Sequence, residues 1–588
     1  MKNVILFIID SLRPDRLGFS GHDPSPSPRI DRLLSSGLCL TNCFTVGCPT
    51  DFSYPGLATS TLPLDKGGYA SGISSRDITL AEVFNSAGYK TGIFMHDFWP
   101  SNWGLRRGYN DVFLLCTIAR FYEDAQATID YYEDAFRTDK KSLEDCLNAL
   151  EKYLYVFFAE FRSYCRYMMD WTENESKLIS ANIHQYDFCK IDELLQGAER
   201  EFQSTPKEYA ERLLLNIEES DVLNAIRRMI EDRQTKASKT VADKELEEIL
   251  SAVRASQRGS SESIPSLAIR GLRALTRKNV FKTVKKRLRR SWRERKGKVQ
   301  FSSGRFPSGA YIVNNLLNWI DNLESRPFFA WVQIMDVHEL NFWSADLPNS
   351  AASTLEEISK VKELYRQIKA KESAYVGNPI YDFAVRYSDL QAARLLDFLE
   401  HRKLLEDTVI VLTADHGHNS AGWPIRPKIH VAVDFYDELY HVPLAFVGKD
   451  IEQKKSDGLC STLDIAPTLL DLLGLPVPSS FRGISVIGQG WHGRDFVQME
   501  HQGRGLGELG AKSSKPTYVC IRNKTHKLVY ETPPPAKSKE GFIKEIYDLT
   551  NDPQERTNLA KMGVFSEDLA NLLCIAKERV EAIRNDKV

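Results

Sequence analysis

Long apolar runs are missing from this chain of 588 residues, and so is any strong excess of one charge. No uninterrupted apolar stretch approaches the ~20 residues that a membrane-spanning helix requires. The 77 Lys and Arg against 79 Asp and Glu give a formal net charge of −2. That balance argues against a protein that coats nucleic acid, so we expect no nucleic-acid partner. The first apolar run, residues 4–9, stops at Asp10 and is too short for the core of a secretion signal.

Cysteine is also scarce, with ten residues and no two closely spaced pairs. This spacing disfavours a disulfide scaffold or a zinc ribbon, and reduced thiols are the norm in the cytosol. The sequence therefore predicts a cytoplasmic protein. The chain does contain 42% apolar and 10% aromatic residues, which is enough for cores of ordinary size and excludes wholesale disorder.

The pattern of apolar and polar residues changes along the chain and predicts four segments. Residues 1–115 and 305–490 alternate β-rich apolar runs with helical patterns, which is typical of a mainly parallel sheet with helices on both faces. Residues 116–304 carry helical spacing with almost no strand-like runs and predict a helical insertion. Residues 491–588 predict a small antiparallel sheet closed by a helix. The clearest expected strands cover residues 3–9, 91–95, 328–335, 408–412 and 442–447, and the clearest helices cover 79–87, 385–398 and 567–583.

The end of the predicted insertion is strongly basic. Residues 277–298 hold twelve Lys and Arg against one acid, with apolar residues interleaved at roughly helical spacing. Two interpretations stay open. The segment is either a solvated basic helix that packs its apolar stripe on the insertion, or a peripheral contact with an anionic membrane surface or another polyanion.

Polar clusters follow three of the predicted strands directly. Asp10 follows the first strand, Asp336-Val337-His338 follows the strand at 328–335, and Asp415-His416-Gly417 follows the strand at 408–412. Ligands of open α/β sheets bind outside the carboxyl ends of the strands. We expect these carboxylates and imidazoles to meet at one edge, as a metal site requires.

Several passages resemble the sulfatase branch of the alkaline phosphatase superfamily, in the order in which that family carries them. They are DSLRPD at 10–15, SPRIDRL at 27–33, LAEVFNSAGYKT at 80–91, DHG at 415–417, DELYHVPL at 437–444, DIAPTLL at 464–470, and YDL at 547–549 with NDP at 551–553. The resemblance implies an α/β fold of the alkaline-phosphatase type. In that fold helices sandwich a mainly parallel sheet, here with a helical insertion and a small C-terminal antiparallel-sheet subdomain.

The nucleophile position departs from the sulfatase pattern. Sulfatases carry Cys-x-Pro-Ser-Arg there, and the cysteine is converted to formylglycine. Aligning Leu57-Ala58-Thr59-Ser60 with the family's following segment places Thr50 at the nucleophile, with Cys48 two residues early and without the residues that conversion needs. We therefore expect no formylglycine. Threonine at this place is similar to the phosphodiesterase, phosphonate hydrolase and phosphotransferase relatives of the superfamily.

The resemblance also implies a ligand set for a divalent cation. Asp10, Asp415, His416 and the hydroxyl of Thr50 would hold Mn²⁺, Zn²⁺, Mg²⁺ or Ca²⁺. Ser11 replaces a second aspartate found in many sulfatases, which argues against a Ca²⁺ site with paired aspartates.

Further residues receive roles from the same resemblance. His338 would contact the phosphoryl oxygens or the leaving group. Lys428 and His430 lie in the loop before residues 437–444, where relatives keep a basic residue, and either could stabilise the anionic transition state. For His418 we expect a surface position, with metal ligation as the alternative.

The leading hypothesis is a metal-dependent hydrolase of phosphate or phosphonate esters that forms a covalent intermediate on Thr50. The alternatives are a phosphotransferase that modifies a glycan or a lipid, a sulfuric ester hydrolase, and a catalytically degenerate sulfatase-like protein. The expected partner is accordingly a phosphate-, phosphonate- or sulfate-ester substrate, either free or linked to a glycan or lipid.

Overall fold

The computed structural model describes 17 stretches and single positions of the chain. They are residues 1–68, 72–96, 104–115, 118–138, 141–175, 188–215, 225, 228, 308–323, 327–340, 351–371, 375–418, 434–488, 490–502, 515–534, 540–563 and 566–585. The basic segment at 277–298 lies outside the described residues, as do Lys428 and His430.

Two compact units make up the chain. Residues 1–117 and 306–588 form the first, and residues 118–305 form the second. The described helices are α1 (Pro28–Ser35), α2 (Thr50–Thr59), α3 (Leu80–Ser86), α4 (Ile118–Arg137), α5 (Leu143–Glu175), α6 (Phe188–Ser204), α7 (Pro206–Leu215), α8 (Gly309–Asp321), α9 (Asp336–Glu339), α10 (Ala351–Ala370), α11 (Pro379–His401), α12 (Asp437–Tyr440), α13 (Ile465–Leu472) and α14 (Glu567–Arg584). Within the described part of the chain, no helix combines the length and the apolarity needed to cross a membrane.

An eight-stranded sheet is the framework of the first unit. Its strands are β1 (Asn3–Ile9), β2 (Leu38–Phe44), β3 (Lys90–His96), β4 (Asp111–Leu115), β5 (Phe328–Ile334), β6 (Thr408–Thr413), β7 (His441–Val447) and β8 (Lys454–Ser461). They lie in the order β4-β3-β5-β1-β6-β7-β2-β8. Only β7 is antiparallel to its neighbours in this described sheet, and the other strands run in one direction.

The first strand lies near the middle of the sheet because its sequence is apolar on both faces. Residues 4–9 are all buried. Phe7 lies opposite Val332 of β5 and Leu412 of β6 in the parallel register. A strand with two covered faces is expected to be continuously apolar, as this one is.

Local signals fix where the flanking helices begin. Thr79 and Glu82 form a capping box at the start of α3. Asn378 caps α11, and Pro379 occupies its first helical position, where a missing N–H costs nothing. The side chain of Ser566 accepts a hydrogen bond from Leu569 N at the start of α14.

A second sheet completes the first unit. Strands β9 (Val497–Gln502), β10 (Thr517–Arg522), β11 (His526–Thr532) and β12 (Phe542–Asp548) are antiparallel and lie in the order β12-β11-β10-β9. Helix α14 covers this sheet. Apolar residues of the helix and of the sheet share one core with Phe52 of α2. The C-terminal sheet therefore packs behind the helix that begins with Thr50.

The described part of the second unit is helical, with α4 to α7 packed around buried aromatic side chains. Phe158, Phe161 and Phe202 are almost fully enclosed. Arg162 of α5 forms ion pairs with Asp192 and Glu199 of α6. These contacts hold α5 and α6 together.

The predicted fold class is confirmed: helices flank a large, mainly parallel sheet, beside a small antiparallel one. The strand expected at 442–447 exists as β7 but runs against its neighbours. Hydrophobic patterns report burial and leave strand direction undetermined. Strands β2 and β4 and helix α2 were not assigned from the sequence.

Candidate metal centre and active site

The site lies at the carboxyl edge of the large sheet, where the three central strands β5, β1 and β6 end side by side. Asp10 follows β1, and Asp415 and His416 follow β6. All three side chains are buried, and one potential ligand atom from each lies within 4.8 Å of the others. The structure thus brings together three of the residues that the sequence placed at strand ends.

Ser11 holds the two carboxylates in place. Its backbone N–H donates to Asp415 Oδ1 at 3.2 Å, and its hydroxyl donates to Asp10 Oδ1 at 3.0 Å. The backbone N–H of His416 donates to the same Asp415 oxygen at 2.8 Å. Ser11 itself has a φ of +64°, a left-handed conformation that residues other than glycine adopt at a cost. These bonds engage Oδ1 of each carboxylate and direct the two Oδ2 atoms to other partners.

Thr50 is the first residue of α2, and its hydroxyl lies against this cluster. Oγ1 donates to Asp10 Oδ2 at 3.2 Å and lies 3.2 Å from His416 Nε2. The hydroxyl of Ser53 donates to the Thr50 carbonyl at 3.0 Å, within the first turn of the helix. The positive end of a helix dipole favours anions, so a hydroxyl at this position is well placed to meet an anionic group.

The electrostatics of the cluster favour positive charge. Burial acts to raise the pKa of Asp10, but the imidazoles of His416, His338 and His96 outweigh it and hold this pKa below its ordinary value. Burial and the charge of Asp10 raise the pKa of Asp415 to about 6. For His416, burial lowers the pKa, yet the Asp415 carboxylate raises it well above the ordinary value.

These residues fit a divalent cation. The donor set is rich in oxygen: it comprises two buried carboxylates and one hydroxyl, with one imidazole nitrogen of intermediate softness. The same carboxylates stabilise a proton on the imidazole, which shows that they attract positive charge. A bound cation would supply that charge.

The sequence did not single out Gln333, which adjoins both carboxylates. This fully buried residue of β5 donates from Nε2 to Asp10 Oδ2 at 3.1 Å and to Asp415 Oδ2 at 3.4 Å. The available signal was an amide inside the otherwise apolar strand FFAWVQI.

His338 lies beside the cluster in the short helix α9. Its ring centroid is 6.3 Å from that of His416, and Nδ1 lies 3.0 Å from the Glu339 carboxylate. Burial lowers the pKa of His338, but the hydrogen bond to Glu339 and the charge of Asp10 raise it above the ordinary value. Asp336, from the same cluster in the sequence, accepts the backbone N–H of Gly309 at the start of α8 instead.

The surface position expected for His418 is wrong, since this residue is 2% exposed. Arg13 donates to its backbone carbonyl at 2.9 Å, and the Tyr381 ring lies 5.6 Å from its own. Parts of the chain distant in sequence cover it.

Cys48 is buried in an apolar cluster with Phe44 among its members.

The fold and the site together define a member of the alkaline phosphatase superfamily. A family model described as Sulfatase matches residues 2–159 and 273–475, more than half of the chain, and the chain belongs to this sulfatase family. Proteins of the family are generally metal-dependent, in accord with the acidic and histidine cluster seen here.

Two curated relatives illustrate the similarity. The chain is 24% identical over 261 residues to arylsulfatase K of the dog, Canis lupus familiaris, and the match covers 43% of this chain and 44% of that protein. It is 32% identical over 190 residues to a Delta 4,5-hexuronate-2-O-sulfatase of Bacteroides thetaiotaomicron, which covers 31% of this chain and 36% of that one. The chain therefore spans less than half the length of these relatives.

Solved structures match the whole chain. A 2-O GAG sulfatase superposes with a TM-score of 0.51 at 14% identity and covers 100% of this chain and 93% of its own. The phosphonate monoester hydrolase of Agrobacterium radiobacter superposes with a TM-score of 0.51 at 16% identity and covers 100% and 96%. These likenesses establish the fold.

Proposed function

We propose that this chain is a metal-dependent hydrolase of phosphate or phosphonate esters that works through a covalent intermediate on Thr50. The observation that carries the proposal is the position of the Thr50 hydroxyl. It lies 3.2 Å from both Asp10 Oδ2 and His416 Nε2, at the start of a helix. A threonine cannot become formylglycine, so a mechanism based on that aldehyde requires a different residue at this place.

Asp10, Asp415, His416 and Thr50 would hold the cation. When bound, a divalent cation lowers the pKa of an adjacent hydroxyl and neutralises charge on the transferring group. The preferred ions are Mn²⁺, Zn²⁺ and Mg²⁺, because the donor set mixes oxygen atoms with one imidazole.

In the first step, Thr50 Oγ1 attacks phosphorus in line with the leaving alcohol. The bond between Oγ1 and phosphorus forms while the bond between phosphorus and the ester oxygen breaks. The Thr50 proton passes toward Asp10 Oδ2, which already accepts its hydrogen bond. The departing alkoxide takes a proton from His338, whose raised pKa favours the protonated imidazole.

In the second step, a water oxygen forms a bond to the phosphorus of the phospho-threonine, and a proton of that water returns to His338. The bond between phosphorus and Oγ1 breaks, and Thr50 recovers its proton. Besides the alcohol, a phosphate monoester gives inorganic phosphate, a phosphate diester gives a phosphate monoester, and a phosphonate ester gives the free phosphonate. Positioning and charge neutralisation supply most of the rate enhancement in such phosphoryl transfers.

Turnover of four p-nitrophenyl esters tests the proposal: phosphate monoester, phosphate diester, phenylphosphonate and sulfate, each with added Mn²⁺ or Zn²⁺. Thr50→Val should lower turnover of the best phosphorus ester by about 10³-fold or more, because it removes the nucleophile and keeps the side-chain shape. The matched control is Thr59→Val at the other end of α2, which should retain activity. Mass spectrometry of quenched reactions should find one phosphoryl group on the peptide that contains Thr50.

Two alternative activities have their own outcomes in this assay. Sulfate hydrolysis is favoured by the sulfatases among the relatives, and sulfate turnover that survives Thr50→Val would contradict the proposed nucleophile. Phosphoryl transfer to an added acceptor alcohol, in excess of release to water, would favour a phosphotransferase acting on a glycan or lipid. A protein that binds metal but turns over no ester would be catalytically degenerate.

Two further proposals concern the surroundings of the enzyme. The basic residues 277–298 provide a peripheral contact with anionic membranes, on the ground of their charge and interleaved apolar residues. A cytoplasmic location is supported by the number and spacing of the ten cysteines. Cell fractionation tests the location directly.

A further inference from the structure

Gln333 carries the inference, because its amide contacts the Oδ2 atoms of both carboxylates, of which that of Asp10 also accepts from Thr50. Oδ1 of Asp10 and Oδ1 of Asp415 are held by Ser11, and the latter also by the His416 N–H. The Oδ2 atoms of the same carboxylates both accept from Gln333 Nε2, at 3.1 and 3.4 Å.

The other half of this amide lacks a partner among the described residues. Gln333 is fully buried, and its Oε1 makes no hydrogen bond within the described part of the chain. Buried carbonyl oxygens are almost always satisfied, so the orphaned Oε1 leaves open which end of the amide faces the two carboxylates.

A half-turn of the amide places the oxygen against the cluster. Rotation about the Cγ–Cδ bond exchanges Oε1 and Nε2, and this torsion is broad and roughly two-fold in glutamine. Oε1 would then stand at the present position of Nε2, 3.1 and 3.4 Å from the two Oδ2 atoms, and Nε2 would take the present position of Oε1. Neighbouring oxygen ligands of an octahedral cation with bonds of about 2.1 Å lie about 3 Å apart.

We propose that Gln333 is a fifth protein ligand, which binds the cation through Oε1 beside Asp10, Asp415, His416 and Thr50. The inference rests on the metal centre of the proposed function and deepens it. With Gln333, four of the five donor atoms are oxygens. Among the three ions of the proposed function, such a set favours Mn²⁺ and Mg²⁺, which accept six ligands, over Zn²⁺, which is commonly satisfied by four.

Metal binding to the full chain tests this role without any substrate. Gln333→Met keeps the side-chain length and removes the amide oxygen. Calorimetric titration should show Mn²⁺ binding at least about tenfold weaker, the range seen when supporting groups of metal sites are lost. Zn²⁺ binding should change by less than about threefold. The control is Gln391→Met, which alters another fully buried glutamine, on α11, outside the cluster.

The number of water molecules on the ion separates a ligand from a supporting residue. With Eu³⁺ as the probe, luminescence lifetimes in H₂O and D₂O should show one additional bound water in Gln333→Met relative to the unmodified chain. Gln333→Asn, whose amide is one carbon too short, should gain the same water. Gln333→Glu, which restores an oxygen at full length, should gain none and should keep its Mn²⁺ affinity.

Each contrary result has a distinct meaning. Weaker Mn²⁺ binding without an additional water would overturn the ligand role, because Gln333 would then only orient the carboxylates through its N–H. Unchanged affinity and hydration in both Gln333→Met and Gln333→Asn would do the same. If the unmodified chain bound neither Mn²⁺ nor Eu³⁺, the metal centre of the proposed function would itself be wrong.

Discussion

The hydroxyl oxygen of Thr50 lies 3.2 Å from Nε2 of His416, although 366 positions separate the two residues in the chain. The start of α2 and the end of β6 create this contact. It places a candidate nucleophile and a candidate metal ligand within one hydrogen-bond length, so the identity of the ligand at 416 should affect the ion and the nucleophile together.

Replacing His416 by asparagine should change which metal the site prefers. Imidazole suits Zn²⁺, whereas an amide oxygen suits Mg²⁺, Mn²⁺ and Ca²⁺. We expect the ratio of Zn²⁺ to Mg²⁺ affinity in His416→Asn to fall at least about tenfold, measured by calorimetric titration. His441→Asn is the control, since His441 is outside the cluster and contacts the Thr41 carbonyl. An unchanged affinity ratio in His416→Asn would mean that His416 is not a ligand.

Asp389 should make the stability of the protein depend on pH. Its carboxylate accepts the backbone N–H groups of Arg29 and Ile30 at the start of α1. Burial nevertheless raises the pKa of Asp389 to about 7. Because this pKa is above the unfolded value near 3.8, the group contributes stability that is fully present below about pH 4 and is lost as the pH rises through about 7.

Asp389→Asn should therefore gain stability relative to the unmodified chain as the pH rises from about 4 to about 7.5. The gain is on the order of 4 kcal/mol at most, from three pKa units at about 1.4 kcal/mol each. Urea unfolding across this pH range measures it. Asp397→Asn removes an exposed carboxylate from the same helix and serves as the control. A difference from the unmodified chain that does not vary with pH would contradict the prediction.

Arg579 of α14 should be important for stability because it neutralises two buried carboxylates. It donates to Glu500 of β9 and to Asp65, the latter at 2.8 Å. Arg579→Ala would leave the fully enclosed Glu500 without its main counter-charge. Removing one partner of a buried ion pair typically costs about 3–5 kcal/mol, and we expect a loss of that size in urea unfolding.

Lys449→Ala is the control for Arg579→Ala, because Lys449 pairs with Glu406 at the exposed surface. Loss of such an exposed ion pair should leave the unfolding midpoint unchanged. Mn²⁺ affinity should be unaffected in both variants, since neither residue reaches the metal cluster. Equal unfolding midpoints for the two variants would show that Arg579 does not stabilise the fold.

Deleting residues 277–298 should separate catalysis from membrane contact. The variant should retain turnover of small aryl esters while losing binding to phosphatidylserine vesicles, because each Lys or Arg near an anionic surface contributes about 1 kcal/mol. Vesicle flotation measures the binding, with pure phosphatidylcholine vesicles as the control. Equal binding of the deletion variant and the full chain would eliminate the membrane proposal.

Much of the fold and part of the site were predictable from local patterns. Continuous apolar runs identified β1, β5 and β6, and parallel strands put the residues after them at one edge, which brought Asp10 and Asp415 together. Gln333 was not predictable in this way. Its position beside the two carboxylates depends on the strand register, which pairs it with Ile8 next to the end of β1.

The error at His418 has a similar physical origin. The residue follows Asp415-His416-Gly417 in a polar stretch, which is typical of an exposed loop. The structure covers it with Arg13 and Tyr381, from distant parts of the chain. Burial produced by such long-range contacts leaves no periodic signal in the local sequence. Lys428 and His430 stay predictions.

The central position of β1 has a consequence for how the protein is made. Its neighbours in the sheet are Phe328–Ile334 and Thr408–Thr413. At roughly 5–20 residues per second, a ribosome needs on the order of tens of seconds to reach them after β1 has emerged. Throughout that time residues 4–9 of β1, which are all apolar, have no neighbouring strand to pair with. Chaperone demand during synthesis should therefore be set by the length of the intervening chain, and shortening the stretch at 118–305 should reduce it.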